Sequence, residues 1–233
     1  MSTSRVFLIP CPIAEEALDS LSPSILNAVK QCGTFFVEDE RSARRFLKKI
    51  WREMVIDDYK WYVIQSKEAA QQFKQSLKEN QMIGIISEAG CPGIADPGQT
   101  LIALAQEMKV KVHPLVGPSS ILLAMMASGM NGQKFSFNGY LPIDTSQRLK
   151  AVRDFESISI RDNSTQIFIE TPYRNNQVFQ AIVNTCFPKT RLCVAVDITG
   201  KEEFIRTMNV AEWKKNAPEL HKKTVIFLIQ AEK

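Results

Sequence analysis

Short apolar runs alternate with amphipathic stretches along almost the whole chain. The runs Val6–Ile9, Thr34–Val37, Trp61–Ile64, Met82–Ser87 and Val110–Val116 have the length and the β-branched or aromatic content of strands. Between them, apolar positions recur at helical spacing around Pro23–Gln31, Arg41–Ile50, Glu68–Lys78 and Thr100–Met108. Strand and helix in alternation predict βα units on a largely parallel sheet, hence an α/β fold. The first helix carries its own start signal, with Ser22 as N-cap and Pro23 at the first helical position, where a missing N–H costs nothing.

Gly117-Pro118-Ser119-Ser120 interrupts this rhythm and precedes an apolar helix, Ile121–Ala127, that stops at Gly129. The junction is placed here, giving an N-terminal α/β domain over 1–116 with a mostly parallel sheet and a C-terminal α/β domain over 117–233. The second half predicts strand Lys134–Asn138, helix Gln147–Phe155, strand Gln166–Glu170, helix Asn175–Cys186 and strand Arg191–Ile198. Strand-like Glu203–Met208, a short helix near Ala211–Lys215 and a final strand Thr224–Gln230 follow. Two late strands with little between them suggest antiparallel pairing and a mixed sheet.

Composition narrows the chemistry. Of the 233 residues 45% are apolar and 23% charged, the balance of a globular chain able to bury a core. Five cysteines without a C-x-x-C pair, and only His113 and His221 as imidazoles, argue against a disulfide scaffold, a metal site and Ser-His-Asp catalysis. Val6–Ile9 is too short for a signal segment, and no apolar stretch reaches the roughly 20 residues of a membrane span, so a cytoplasmic, membrane-free protein is expected. The net charge of +4 permits an anionic partner. Arg41, Arg44, Arg45, Lys48 and Arg52 recur at i, i+3, i+4, i+7 and i+11, a basic helix face that would either attract RNA phosphates or simply be solvated.

The most unusual segment runs from Ser87 to Gly98, with three Gly and two Pro in twelve residues between an apolar strand and a helix. Gly permits close approach of backbone to a ligand, Pro stiffens, and the carboxyl end of a parallel strand is where open α/β sheets bind ligands. An ordinary βα loop is the alternative, though such loops are usually shorter. Neither G-x-G-x-x-G nor a Walker loop is present.

Ser87-Glu88-Ala89-Gly90-Cys91-Pro92 with Asp96-Pro97-Gly98 resembles the S-D-A-G-T-P…D-P-G loop of the ribosomal RNA small-subunit methyltransferase I branch of the tetrapyrrole methylase superfamily. Ile9-Pro10-Cys11-Pro12-Ile13 resembles that family's P-T-P-I-G-N, Glu38-Asp39-Glu40-Arg41 its E-D-T-R, and Gly117-Pro118 its second-domain G-P. Phe137–Pro142 resembles its G-F-L-P and Phe168–Arg174 its F-x-E-S-P-H-R. The motifs keep the family's order and span nearly the whole chain. The resemblance implies a homodimeric two-domain methyltransferase that binds S-adenosylmethionine in a cleft between domains and methylates a ribose 2′-hydroxyl of ribosomal RNA. By family position, Pro10, Glu88, Ala89, Gly90, Cys91 and Ile94 would line one side of the cofactor, Ser119 and Ser120 another, and the Phe168-Ile169 backbone the adenine.

Methyl transfer from a sulfonium asks mainly for alignment of nucleophile and methyl. A hydroxyl nucleophile would still benefit from a carboxylate base, and Glu38, Glu170 and Asp197 each end a strand-like run. Arg174 could orient a phosphate or pair with Glu170. Ala14-Glu15, Val196-Asp197 and Lys223-Thr224 depart from the family's G-N, R-E and G-E, which bears on the acceptor more than on the cofactor. A methyltransferase of a tetrapyrrole or other small molecule, and a non-catalytic binding relative, are the alternatives.

Overall fold

The computed structural model describes residues 4–232, and its backbone divides into two compact units between Ser119 and Ser120. The first unit comprises β1 (Arg5–Ile9), α1 (Ser24–Val29), β2 (Thr34–Val37), α2 (Glu40–Ile50), β3 (Lys60–Val63), α3 (Ala69–Lys78), β4 (Met82–Ile86), α4 (Gln99–Glu107) and β5 (Lys111–Pro114). Its five strands pair in parallel in the order β3-β2-β4-β1-β5. Successive strand residues face opposite sides, so Phe35 packs in one core with Ile9, Ile25 and Leu47, and Phe36 in another with Phe73, Ile83 and Leu101. Burial on both faces explains why the central strands read as unbroken apolar runs.

This strand order has a consequence for binding. The chain leaves β1 toward β2 on one side and leaves β4 toward β5 on the other, although β1 and β4 are neighbours. The two connections pass over each other's strands in opposite directions and so lie on opposite faces, α1 in the core with Ile9 and α4 in the core with Ile83; the loops after β1 and β4 thus leave to opposite sides of the sheet, a switch point of the kind at which open α/β sheets take ligands.

The second unit contains α5 (Ser120–Ser128), β6 (Phe135–Tyr140), α6 (Thr145–Asp162), β7 (Thr165–Ile169), α7 (Asn175–Thr185), β8 (Arg191–Val196), β9 (Phe204–Asn209), α8 (Val210–Trp213) and β10 (Val225–Gln230). Its sheet has the order β6-β7-β10-β8-β9, parallel only between β6 and β7. The core gathers Phe168, Val178, Phe179, Trp213 and Phe227, with Phe168 stacked against Phe155 and Phe227.

Local outcomes differ from the pattern in two places. Pro23, not Ser22, holds the cap position of α1, and the Ser22 hydroxyl accepts a long 3.3 Å bond from the Ser24 N–H and shares a 2.8 Å bond with the Ser24 hydroxyl. Helix α6 continues past Phe155 to Asp162 because Glu156 and Ser159 are buried with partners. The Glu156 carboxylate accepts the Phe187 N–H at 2.8 Å and the Thr190 hydroxyl, while Ser159 donates to the Ser164 carbonyl at 2.7 Å. Asn163, left-handed at φ +48°, then closes the helix.

Candidate active site

In the first unit the site is a loop pinned at several points. Gly90 and Cys11 exchange backbone bonds, Cys11 N–H to Gly90 O at 2.9 Å and Gly90 N–H to Cys11 O at 3.1 Å, tying the loop after β4 to the strand exit of β1. Gly90 has φ +71° and Gly93 φ +84°, a region that side chains rarely tolerate. The Ser87 hydroxyl donates to Gly90 O at 3.1 Å, and one Asp96 oxygen accepts both the Gly93 N–H at 2.7 Å and the Gly98 N–H at 2.8 Å. The Cys91 thiol points at the Pro118 carbonyl, 3.3 Å away. Pro10 is buried and lies against Gly117, whose absent Cβ would sit 2.3 Å from the proline ring.

Three carboxylates share this edge. The Glu88 N–H donates to Glu38 Oε1 at 3.0 Å. Burial raises the Glu38 pKa above its usual range, against that amide's opposing pull, and nearby Asp96 and Glu88 push the same way. Asp96 is raised by burial too, with the Gly93 and Gly98 amides opposing. A partly desolvated acidic group of this kind is stabilised by a cationic ligand. Ala89 and Ile94 are exposed on the loop, and Ser119 ends the unit half-buried.

Helix α2 begins next to this group, with Asp39 as N-cap accepting the Ser42 N–H at 2.7 Å. Its basic stripe is partly engaged within the fold. Arg44 pairs with Glu40 at 2.9 Å and lies over the Trp61 ring, and Lys48 donates to the Arg52 and Met54 carbonyls at the helix end. Arg41 and Arg45 are exposed on the helix, whereas Arg52, expected on the same face, is exposed in the turn beyond the helix end at Ile50. Sequence reasoning had treated Glu15 only as a departure. In the fold its carboxylate meets Lys49 at 2.8 Å and Arg45 at 3.7 Å, at a cavity of about 220 Å³ that the Cys11–Leu18 segment, α2, Ser87 and Glu88 enclose. Asp96 was also missed, although Asp before Pro-Gly signals a side chain that binds its own loop.

In the second unit, Glu170 and Arg174 form an ion pair at 2.6 Å, the Glu170 side chain having no exposure. The other Glu170 oxygen accepts the Thr171 N–H at 2.7 Å, and Arg174 also reaches the Leu141 and Pro142 carbonyls at 3.5 and 3.4 Å. Both partners are thus committed to closing the end of β7. Asp197, at φ +48°, accepts the Glu202 N–H at 2.9 Å and organises the turn after β8. Phe168 is wholly core, Ile169 half-buried, and their strand passes β6 where its register is irregular between Phe137 and Tyr140. Ser120 opens α5, half-buried. Among the described residues no helix is long and apolar enough to cross a membrane, and no cluster of metal-binding side chains occurs.

No family model matches the chain. Ribosomal RNA small subunit methyltransferase I of Vibrio cholerae is 27% identical over 210 residues, which are 89% of this chain and 69% of that protein. The methyltransferase CobJ superposes with TM-score 0.63 at 15% identity, covering 97% of this chain and 93% of its own. Uroporphyrin-III-C-methyltransferase from Thermus thermophilus gives TM-score 0.57 at 11% identity over 98% and 92%. Fold and sequence thus put the chain in the methyltransferase class built on the tetrapyrrole-methylase fold. Within that class its homologues are the ribosomal RNA small subunit methyltransferases I.

Proposed function

We propose that the chain uses S-adenosylmethionine to methylate a ribose 2′-hydroxyl of small-subunit ribosomal RNA, in the cytoplasm and as a homodimer. One observation carries the reading: the Ser87–Gly98 loop is held rigidly by Gly90, Cys11 and Asp96 at the switch point of a parallel sheet, beside a desolvated carboxylate group.

The residues fit such a cofactor. Loop backbone groups that the fold does not already engage, the Ala89 and Cys91 N–H among them, would hold its amino-acid end, and Glu38, Glu88 and Asp96 supply negative potential for its ammonium and sulfonium. When bound, S-adenosylmethionine supplies a methyl group already activated for displacement. Pro10, Cys91, Ser119, Ser120, Phe168 and Ile169 are its further contacts by family position.

Glu38 is the best placed of the three base candidates. Glu170 is tied to Arg174 and Asp197 to its own turn, whereas Glu38 keeps one oxygen beyond its bond to Glu88 and has a raised pKa that suits proton acceptance. Arg174 acts through Glu170 as a structural partner. For the homodimer, support comes from exposed Leu122 and Met126 on the otherwise apolar α5 and from Phe135 and Tyr140 on the edge strand β6.

The test combines calorimetry with S-adenosylmethionine, sedimentation velocity, and labelled-methyl transfer to undermethylated small subunits followed by mapping. Incorporation at one ribose, reduced about 100-fold in kcat by Glu38→Gln, is the expected result. Cofactor binding with label going only to tetrapyrroles would replace the acceptor, and absence of binding would remove the reading.

A further inference from the structure

The cavity beside the loop carries an internal contact that the proposed chemistry does not use. Glu15 stands on the irregular segment after β1, and its single oxygen Oε1 faces two cations one helical turn apart on α2, Lys49 Nζ at 2.8 Å and Arg45 at 3.7 Å. All three side chains are substantially exposed, so burial does not enforce the arrangement. An anionic oxygen shared by two cations is also how a phosphate oxygen would be held, and exposed ion pairs of this type are worth only about 0.2–1 kcal/mol. Apolar Pro12, Ile13 and Phe46 line the same cavity, and the candidate cofactor loop contributes Ser87 and Glu88 to it.

We propose that Arg45 and Lys49 seat a backbone phosphate of the RNA acceptor at the mouth of this cavity, and that Glu15 occupies the seat until RNA displaces it. The inference rests on the RNA reading above and adds a specificity-setting residue to it. Glu15 is a built-in competitor: a strand must offer a phosphate that outbids a tethered carboxylate, and a neutral ligand gains nothing there. The bond to Lys49 and the charges of Lys49 and Arg45 hold the Glu15 pKa below the ordinary glutamate value, in keeping with a carboxylate seated on those cations.

The test is fluorescence anisotropy with a short labelled single-stranded RNA, titrated at several salt concentrations. Glu15→Gln should bind about two- to fivefold tighter than wild type, the factor set by releasing one exposed ion pair. Its salt dependence should also steepen by up to about 0.7 in log–log slope for each cation freed to release a counterion. Glu16→Gln makes the same charge change one residue away on an exposed side chain and should show neither effect. In an Arg45→Gln/Lys49→Gln background the gain from Glu15→Gln should vanish. A gain no larger than that of Glu16→Gln, or one that survives in that background, overturns the phosphate seat while the RNA reading stands. Failure of wild type and every variant to bind RNA overturns the RNA reading and the seat together.

Discussion

At Gly90 a single dihedral angle decides whether the loop keeps its shape. With φ at +71° and a paired strand exit on one side, an alanine there carries left-handed strain of about 1–2 kcal/mol with only the Pro118 carbonyl, 3.5 Å from the new Cβ, as a close neighbour. Gly90→Ala should lower the urea midpoint and weaken S-adenosylmethionine binding in calorimetry; Gly33→Ala, whose Cβ meets nothing, should leave binding as it is. The carboxylates give a second residue-scale expectation. Glu38 and Asp96 have folded pKa values above their ordinary ones, so they take up protons at a pH where unfolded carboxylates are already ionised. Burying their charge therefore disfavours the folded state increasingly as pH rises from the ordinary carboxylate pKa through the raised values. Binding of a cation runs the other way: affinity for S-adenosylmethionine should climb with pH across that window and level off above the raised values, and Asp96→Asn should flatten the climb. Much of this loop was legible in the sequence because Gly and Pro announce backbone geometry. The bond from Asp96 and the pairing of Glu15 were not, since both depend on which segments the fold brings side by side.

Among the elements, β7 and α7 meet at two residues that the sequence offers either as catalytic groups or as each other's partners, and in the fold they pair. Removing Arg174 leaves the Glu170 carboxylate buried without its counter-charge, and Arg174→Ala should cost about 3–5 kcal/mol in urea unfolding. Glu170→Gln should cost less, as the remaining arginine is partly exposed and keeps the Leu141 and Pro142 carbonyls. A catalytic role for Glu170 would instead lower kcat with stability intact. The helices were legible where apolar spacing was regular, as in α2 and α3, because periodicity reports directly on which face is buried. The sequence pattern ends helix α6 at Phe155, ahead of the weak helix formers Ser157, Ile158, Ser159 and Ile160; tertiary partners for Glu156 and Ser159 carry it on to Asp162. The basic stripe of α2 was legible as a pattern, while its engagement by Glu40, Glu15 and the Arg52 and Met54 carbonyls just past the helix was invisible without the fold.

Over the molecule as a whole, the α/β class and the parallel and mixed sheets follow from strand spacing: long crossovers enforce parallel neighbours, the short link between β8 and β9 permits an antiparallel pair, and β10 returns through α8 to run antiparallel between β7 and β8. Strand order could not be read, because it depends on which edges find each other in space. The cysteines behave according to their placement in these sheets. Cys11 and Cys32 are pushed up to about 12 by burial and Cys193 to about 11, and Cys186 is raised further still, which leaves four thiols protonated and shielded. Cys91 alone is half-buried, its thiol directed at the Gly117 and Pro118 carbonyls and its pKa raised by burial and by nearby Asp96, which makes it slow but reachable. Native protein treated with iodoacetamide should therefore acquire one slow adduct per chain at Cys91, against five after denaturation, as mass spectrometry would count them. The loop thus contains its own chemical reporter: any small molecule that settles against Gly90 and Cys91 should slow that single alkylation, so a candidate ligand can be ranked by protection alone, without a methyl acceptor in the tube.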